Sequence, residues 1–191
     1  MWRVVPRLNT LRLDDDDYTL FGLPSQFALD RSQLDTQWRR LQAATHPDRF
    51  ASEGASAQRL AMQWVMRVNE AYQRLKDPIK RAAYLCELRG ASVDAERNTA
   101  MPAHFLMQQM AWREALEDAR SVADVAALQA ELDGEQQAAL AEVERLLDAT
   151  QKTAQQAANP AQAAQQVRAL MFMSRFRQDV ERKLDKLDPN R

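Results

Sequence analysis

One interruption, His46-Pro47, divides two stretches of helical periodicity and constrains this chain more than any other feature. Before it, Leu34, Trp38 and Leu41 recur at helical spacing, with Arg39 and Arg40 beside them. After it, Leu60, Trp64, Val68, Ala71, Tyr72 and Leu75 form an apolar stripe. Arg59, Gln63, Arg67, Glu70 and Arg74 lie largely off that stripe. Proline disfavours the helical region for the residue before it, so the first helix must end near His46. A second long helix begins around Ala55. Two such helices joined by a loop of this length are expected to pack antiparallel.

The flanks read as shorter elements. Tyr18 to Pro24 is an apolar turn that stops at Gly22 and Pro24. Asp30 is placed to cap the first long helix. Asp77-Pro78 is both a boundary and a start, with Asp as the cap and Pro at the first helical position. Ala82, Leu85 and Leu88 then lead to Gly90, a candidate helix-ending glycine. Residues 91–101 are polar and without period, and read as a linker. Beyond Pro102 the chain is rich in Ala and Gln and helical throughout. One helix is expected over about 103–119. A second, capped by Ser121, runs over about 122–156, with Gly134 a place where it could bend or break. Asn159-Pro160 marks a hairpin turn, and a last helix runs over about 161–187. Met173, Phe176, Val180, Leu184 and Leu187 form its seam. The expected architecture is all-α: an extension over 1–16, expected to be disordered, a first domain over 17–90, and a helical bundle over 102–191.

Composition narrows the function. The chain has a net charge of −1, unevenly spread. Residues 17–90 carry 11 Lys/Arg against 8 Asp/Glu, and residues 91–191 carry 12 against 16. Opposite signs suggest two different partners, and the acidic second half disfavours nucleic acid. One cysteine, Cys86, rules out an internal disulfide, and a reducing compartment fits. No apolar run approaches the roughly 18 residues of a membrane span. The first ten residues lack the pattern of a secretory signal. Cytoplasm is the expected location. An enzyme would need a constellation of groups. His46 and Asp48 could pose as an acid–base pair, but no nucleophile accompanies them. Cys86 sits among Tyr84, Leu85 and Leu88 and is expected to be buried. His104 is expected at the surface. With two histidines and one cysteine in the chain, a soft-metal site has few ligands, and neither metal nor cofactor is expected.

His46-Pro47-Asp48 could be a plain helix–helix turn, with Asp48 satisfying backbone N–H groups. It could also be a stiffened loop that presents an imidazole and a carboxylate to a partner, although three residues alone favour the plain turn. The context favours the second. Tyr18-Leu20-Phe21-Gly22-Leu23, Trp38-Arg39-Arg40-Leu41, His46-Pro47-Asp48-Arg49-Phe50, Val68 to Pro78 and Arg81-Ala82-Ala83-Tyr84 occur in order. Together they resemble a J-domain. The resemblance implies that His46, Pro47 and Asp48 stimulate a DnaK-type chaperone ATPase, with Arg39 and Arg40 as electrostatic support. Arg49 stands where that family usually has lysine, which keeps the charge.

The second half has its own anomaly. On a wheel of about 100° per residue, Phe105, Trp112 and Leu116 make a core stripe. Leu106, Met107 and Met110 lie well away from it, with Glu114 and Asp118 able to form a polar rim. Met171 falls outside the last helix's seam and Phe172 at its edge. These residues could be the wide core of a three-helix bundle, or an exposed binding patch. Phe105 to Glu114 and Val167 to Phe172, joined to a J-domain, resemble the HscB family of co-chaperones in iron–sulfur cluster biogenesis. That resemblance covers about 17–187. It implies that the bundle binds an IscU-type scaffold through Leu106, Met107, Met110, Glu114, Asp118 and Phe172, and that the J-domain delivers it to an HscA chaperone. Ala111 departs from the pattern, since an acidic residue is expected there. A J-domain co-chaperone with another client is the alternative.

Overall fold

The structure is a computed structural model that describes residues 11–50, 52, 54–94, 100–148 and 158–188. It is all-α among these residues, as the periodicity predicts. Seven helices follow in order: α1 (Asp17–Phe21), α2 (Arg31–Thr45), α3 (Ala55–Lys76), α4 (Pro78–Leu88), α5 (Ala103–Asp118), α6 (Val122–Leu147) and α7 (Pro160–Leu187). A 3-10 turn, Pro47–Phe50, sits between α2 and α3. By contacts the chain divides into two units between Arg81 and Ala82, within α4 and ahead of the expected boundary at Gly90.

In the first unit α1 and α2 begin where an aspartate supplies acceptors for the unpaired N–H groups of a helix start, whereas α3 starts at Gly54 with no side-chain cap. Asp16 Oδ1 accepts from Tyr18 N and Thr19 N, so the expected apolar turn becomes the short helix α1. Gly22, at φ 63°, ends it in a left-handed conformation that costs glycine nothing. Asp30 accepts from Ser32 N and Gln33 N at the start of α2. That helix ends where proline requires, with His46 extended at ψ 128°. α2 and α3 meet through Leu34, Leu41, Val68, Ala71 and Leu75, all buried. Trp38 stacks on Tyr72 with ring centroids 4.5 Å apart, and its Nε1 donates to Asn69 at 3.0 Å. Gln42 Nε2 donates to the same Asn69 oxygen, so one amide ties two turns of α2 to α3.

Asp17 is the buried charge of this unit among the described residues, with 0% exposure. Arg67 and Arg74 of α3 pair with its two oxygens at 2.8 and 3.0 Å. Arg67 also donates to the carbonyls of Leu13 (3.0 Å) and Asp15 (2.6 Å). Residues 11–16, expected to belong to a disordered extension, are therefore held against α3, because their free carbonyls meet a half-buried guanidinium. Residues 1–10 of that expected extension lie outside the described residues. The expected α3 stripe is buried at Val68, Ala71, Tyr72 and Leu75 and half-buried at Trp64. Leu60 departs from it and is exposed, and Ala61 takes the buried position at that end of α3.

The second unit is built on α5, α6 and α7. α6 and α7 form an antiparallel pair: Asn159 N donates to Leu146 O near one end, and Arg177 bridges Asp133 and Gln136 further along. Met173, Phe176, Val180 and Leu184 are buried, as the seam predicts, and Leu187 is half-buried. A reciprocal Ser121–Asp124 cap starts α6. The helix passes Gly134 without a break, because the glycine takes helical geometry at an exposed position. α6 ends at Leu147, short of the expected Gln156, where Asp148 N closes on Glu144 O. Residues 149–157 lie outside the described residues. α5 is joined to α6 by Glu131, which accepts from Trp112 Nε1 at 2.8 Å and Gln108 Nε2 at 2.6 Å.

Asp17→Ala leaves two arginines facing one another without their carboxylate. The expected loss is about 2–4 kcal/mol, below the ~3–5 kcal/mol for a fully buried pair because both arginines keep some solvent contact. Urea unfolding followed through α2 and α3 amides checks this, and a loss under ~1 kcal/mol would contradict it.

Candidate functional site

Two surfaces carry the residues singled out by sequence. The first is the loop after α2. Pro47–Phe50 forms one 3-10 turn, closed by Arg49 N donating to His46 O at 3.0 Å. Asp48 N lies 3.3 Å from His46 Nδ1, and Asp48 Oδ2 lies 3.5 Å from the same nitrogen. A neutral ring accepts from the amide at Nδ1, which leaves Nε2–H as its free donor. A protonated ring pairs with the carboxylate. Asp48 thus orients the imidazole in either state. The His46 and Asp48 side chains are 60% and 89% exposed, so this constellation faces solvent and buries nothing. Arg49 donates to Ala43 O at 3.3 Å and ties the turn back to α2. Arg39 and Arg40 are exposed on α2, Arg39 donating to Asp35 O at 3.2 Å. Arg31 donates to Asp35 and holds that carboxyl below the usual carboxylate range, so the acid beside Arg39 is already neutralised.

The second surface is α5. Phe105 and Trp112 are buried, and Leu116 is half-buried, as the core stripe predicts. On the opposite side Leu106 is 51%, Met107 77% and Met110 74% exposed. Of the two readings left open by periodicity, wide core or exposed patch, the patch is the one observed for these three. Glu114 and Asp118 are exposed further along the same helix. Phe172 is half-buried on α7. It meets Phe105 edge-on at 5.7 Å, stacks beside Phe176 at 5.9 Å, and lies under the Arg113 guanidinium at 5.6 Å. Arg113 and Leu106 fall about 20° apart on an ideal helix wheel, so Phe172 borders the patch on its Leu106 side. Ala111, also exposed, adds no charge to this face.

These surfaces sit on a chain whose relatives are informative. A family model described as the HSCB C-terminal oligomerisation domain matches residues 101–181. The co-chaperone protein HscB homologue of Burkholderia multivorans is 49% identical over 179 residues, covering 92% of this chain and 98% of that protein. The homologue of Paraburkholderia xenovorans matches with the same identity and coverage. This chain belongs to the HscB co-chaperone family. Among solved structures, HscB from Vibrio cholerae is similar with a TM-score of 0.72 and 36% identity, covering 91% of this chain and 99% of that one. Human co-chaperone HscB has a TM-score of 0.78 at 22% identity, covering 89% and 82%, a likeness of fold.

Within this family member, sequence reasoning missed several residues. Asp17 was unremarkable as sequence, although Arg67 and Arg74, seven residues apart, share one face of α3 and could have pointed to a common acid. Arg168, 4% exposed on α7, had no signal apart from its place in an apolar run. α3 carries a further exposed apolar set, Leu60, Met62 and Met66. His104 is exposed, as expected. Among the described residues no cluster of His, Cys, Asp and Glu could hold a metal ion, and no helix is long and apolar enough to cross a membrane.

Cys86 is buried at 0% exposure, and burial pushes its thiol up to about 11. The thiolate is the reactive form, so the folded protein should resist alkylation. Iodoacetamide at pH 8 should label it at least tenfold more slowly than the same chain in urea. Equal rates would contradict its burial.

Proposed function

We propose that this chain stimulates the ATPase of an HscA-type, DnaK-like chaperone through His46-Pro47-Asp48. We propose further that it delivers an IscU-type iron–sulfur scaffold, held on α5 and Phe172, to that chaperone. The observation that carries the reading is the pairing of two solvent-facing surfaces in an HscB-family chain. One is a polar loop, with its imidazole oriented by Asp48. The other is an apolar helix face with methionines more than 70% exposed.

Each surface suits its partner by chemistry. The loop presents a neutral or charged imidazole beside a carboxylate, and the first domain's excess of Lys/Arg suits an acidic docking surface. Arg39 and Arg40 add to that field and act on the encounter rather than on the turn. Methionine's flexible thioether adapts to a partner's shape, and Leu106, Met107 and Met110 together offer a continuous apolar contact. Glu114 and Asp118 give that contact an acidic rim, and Phe172 with Arg113 closes its Leu106 edge. The client, brought alongside the chaperone, is trapped when hydrolysis shifts the chaperone toward its tight-binding state. In this mechanism the chain supplies no catalytic centre and no cofactor. Its partners are proteins, neither nucleic acid nor membrane, and its place is the cytoplasm.

The test is steady-state ATPase of the cognate HscA-type chaperone with this protein, with and without the IscU-type scaffold. Stimulation should appear with the protein alone and rise further with scaffold. His46→Gln should bring both to within about twofold of the unstimulated rate while leaving scaffold affinity unchanged. Stimulation that is indifferent to scaffold would point to a different client. No stimulation by the folded wild type would sink the reading. Separately, Met107→Ala and Met110→Ala should each weaken scaffold binding about tenfold, the ~1–2 kcal/mol of a central apolar contact. Calorimetric titration reads this, and unchanged affinity in both variants would remove α5 from the client surface.

A further inference from the structure

Arg168 lies on α7 inside the second unit and is 4% exposed. Among the described residues its hydrogen-bond partners are backbone carbonyls. Nη1 donates to Val93 O at 2.9 Å, and Nε donates to Ala100 O at 2.6 Å. Val93 is itself buried at 3%. One guanidinium therefore grips the segment between α4 and α5 at two points, so the expected linker over 91–101 is held at Val93 and at Ala100. Burial lowers the pKa of this arginine, so the protein bears a desolvation cost that the two carbonyls offset.

The second grip has a consequence for α5. Ala100 stands two residues before Pro102, the cap of that helix, whose own side chain makes no capping bond. The first turn of α5 thus lacks the side-chain acceptor that α1, α2, α6 and α7 each have. Phe105, in that first turn, packs edge-on against Phe172. Phe172 follows Arg168 on α7 by four residues, one helical turn. A closed circuit results: Arg168 to the Ala100 carbonyl, through Pro102 to Phe105, across to Phe172, and back one turn to Arg168. Leu106 and Met107 come immediately after Phe105, and Met110 follows one turn later.

We propose that Arg168 is a positioning residue for the client-binding face: by holding Ala100 it sets the start of α5, and so the placement of Leu106, Met107 and Met110 beside Phe172. This rests on the reading of α5 as a client surface. Arg168 itself touches no client in this scheme. From the neighbouring helix it fixes the backbone that enters α5 by donating to a carbonyl, and it leaves the first-turn N–H groups of α5 without a side-chain acceptor.

Arg168→Met keeps the length and apolar stem but removes both donors. Amide hydrogen exchange on the free full-length protein should show the first two turns of α5 exchanging at least tenfold faster, with α6 and α7 core amides unchanged. Affinity for the IscU-type scaffold, read by calorimetry, should fall about tenfold. Chaperone ATPase stimulation without scaffold should stay within twofold of wild type. Arg168→Lys, which retains a charged donor for one carbonyl, should recover most of the affinity. Unchanged exchange in α5 would overturn the proposal. Faster exchange spread equally over α6 and α7 would also overturn it, because Arg168 would then be a general stabiliser. So would unchanged scaffold affinity despite a loosened α5. If wild type fails to bind the scaffold, the client reading fails with it, while the exchange comparison still decides whether Arg168 holds α5. If Arg168→Met does not fold, Arg168→Gln and Arg168→Lys are compared with wild type by the same criteria.

Discussion

Asp17 has no solvent contact, and both of its oxygens are taken by arginines two turns apart on α3. A carboxylate in that position is intolerable alone and well satisfied in company. Its burial draws α1 onto α3, and Arg67 extends the same network to the carbonyls of Leu13 and Asp15. With α1 in place, Tyr18, Leu20 and Phe21 are sealed beneath it at 1% exposure each. α2 and α3 can then close on their shared seam, fixed in register by Asn69 and the Trp38–Tyr72 stack. The loop between them owes its geometry to that register, because a turn of four residues has no core of its own.

The second unit uses the complementary charge in the same way. Arg168 is buried on a long helix and satisfied by carbonyls of an irregular segment rather than by an acid among the described residues. In both units a guanidinium on a helix, Arg67 in the first and Arg168 in the second, attaches non-helical backbone to that helix, since carbonyls must find donors. The apolar residues are thereby left to the helix–helix seams. Leu106, Met107 and Met110 are surplus to those seams, since Phe105 and Trp112 already fill the α5 side of the core.

Periodicity made much of this legible. The α2–α3 pair, the α7 seam and the α5 core stripe each follow a 3.6-residue repeat, and burial of the stripe is what selects the helix. Pro47, Asp30, Ser121 and Asn159 announced boundaries because their backbone and capping chemistry is local. The exposed patch on α5 was visible as apolar residues on the wrong side of the wheel. What stayed hidden depended on pairing across the chain. Asp17 finds Arg67 and Arg74 only after α1 folds onto α3. Arg168 finds Val93 and Ala100 only after α7 returns beside the linker. Leu60 looked like core because its spacing was right, and it is exposed because the buried face at that end of α3 runs through Ala61. The end of α6 at Leu147 was equally hidden, as Ala-rich sequence past it retains helical propensity.

The proposed division of labour between the two surfaces has a physical rationale. A loop of exposed polar groups gains little affinity, because each hydrogen bond it makes replaces one with water. An apolar face of three side chains gains more, but with little directional information. Under the proposed function, joining them in one chain would raise the local concentration of client at the chaperone, toward the millimolar range expected of short tethers. Neither contact would then need to be tight, and both could release after hydrolysis. Such an arrangement asks for rigidity at the two recognition elements rather than high stability overall. The bonds of Arg49 to His46 O and Ala43 O supply it in the loop, and the packing of Phe105 against Phe172 supplies it beside α5.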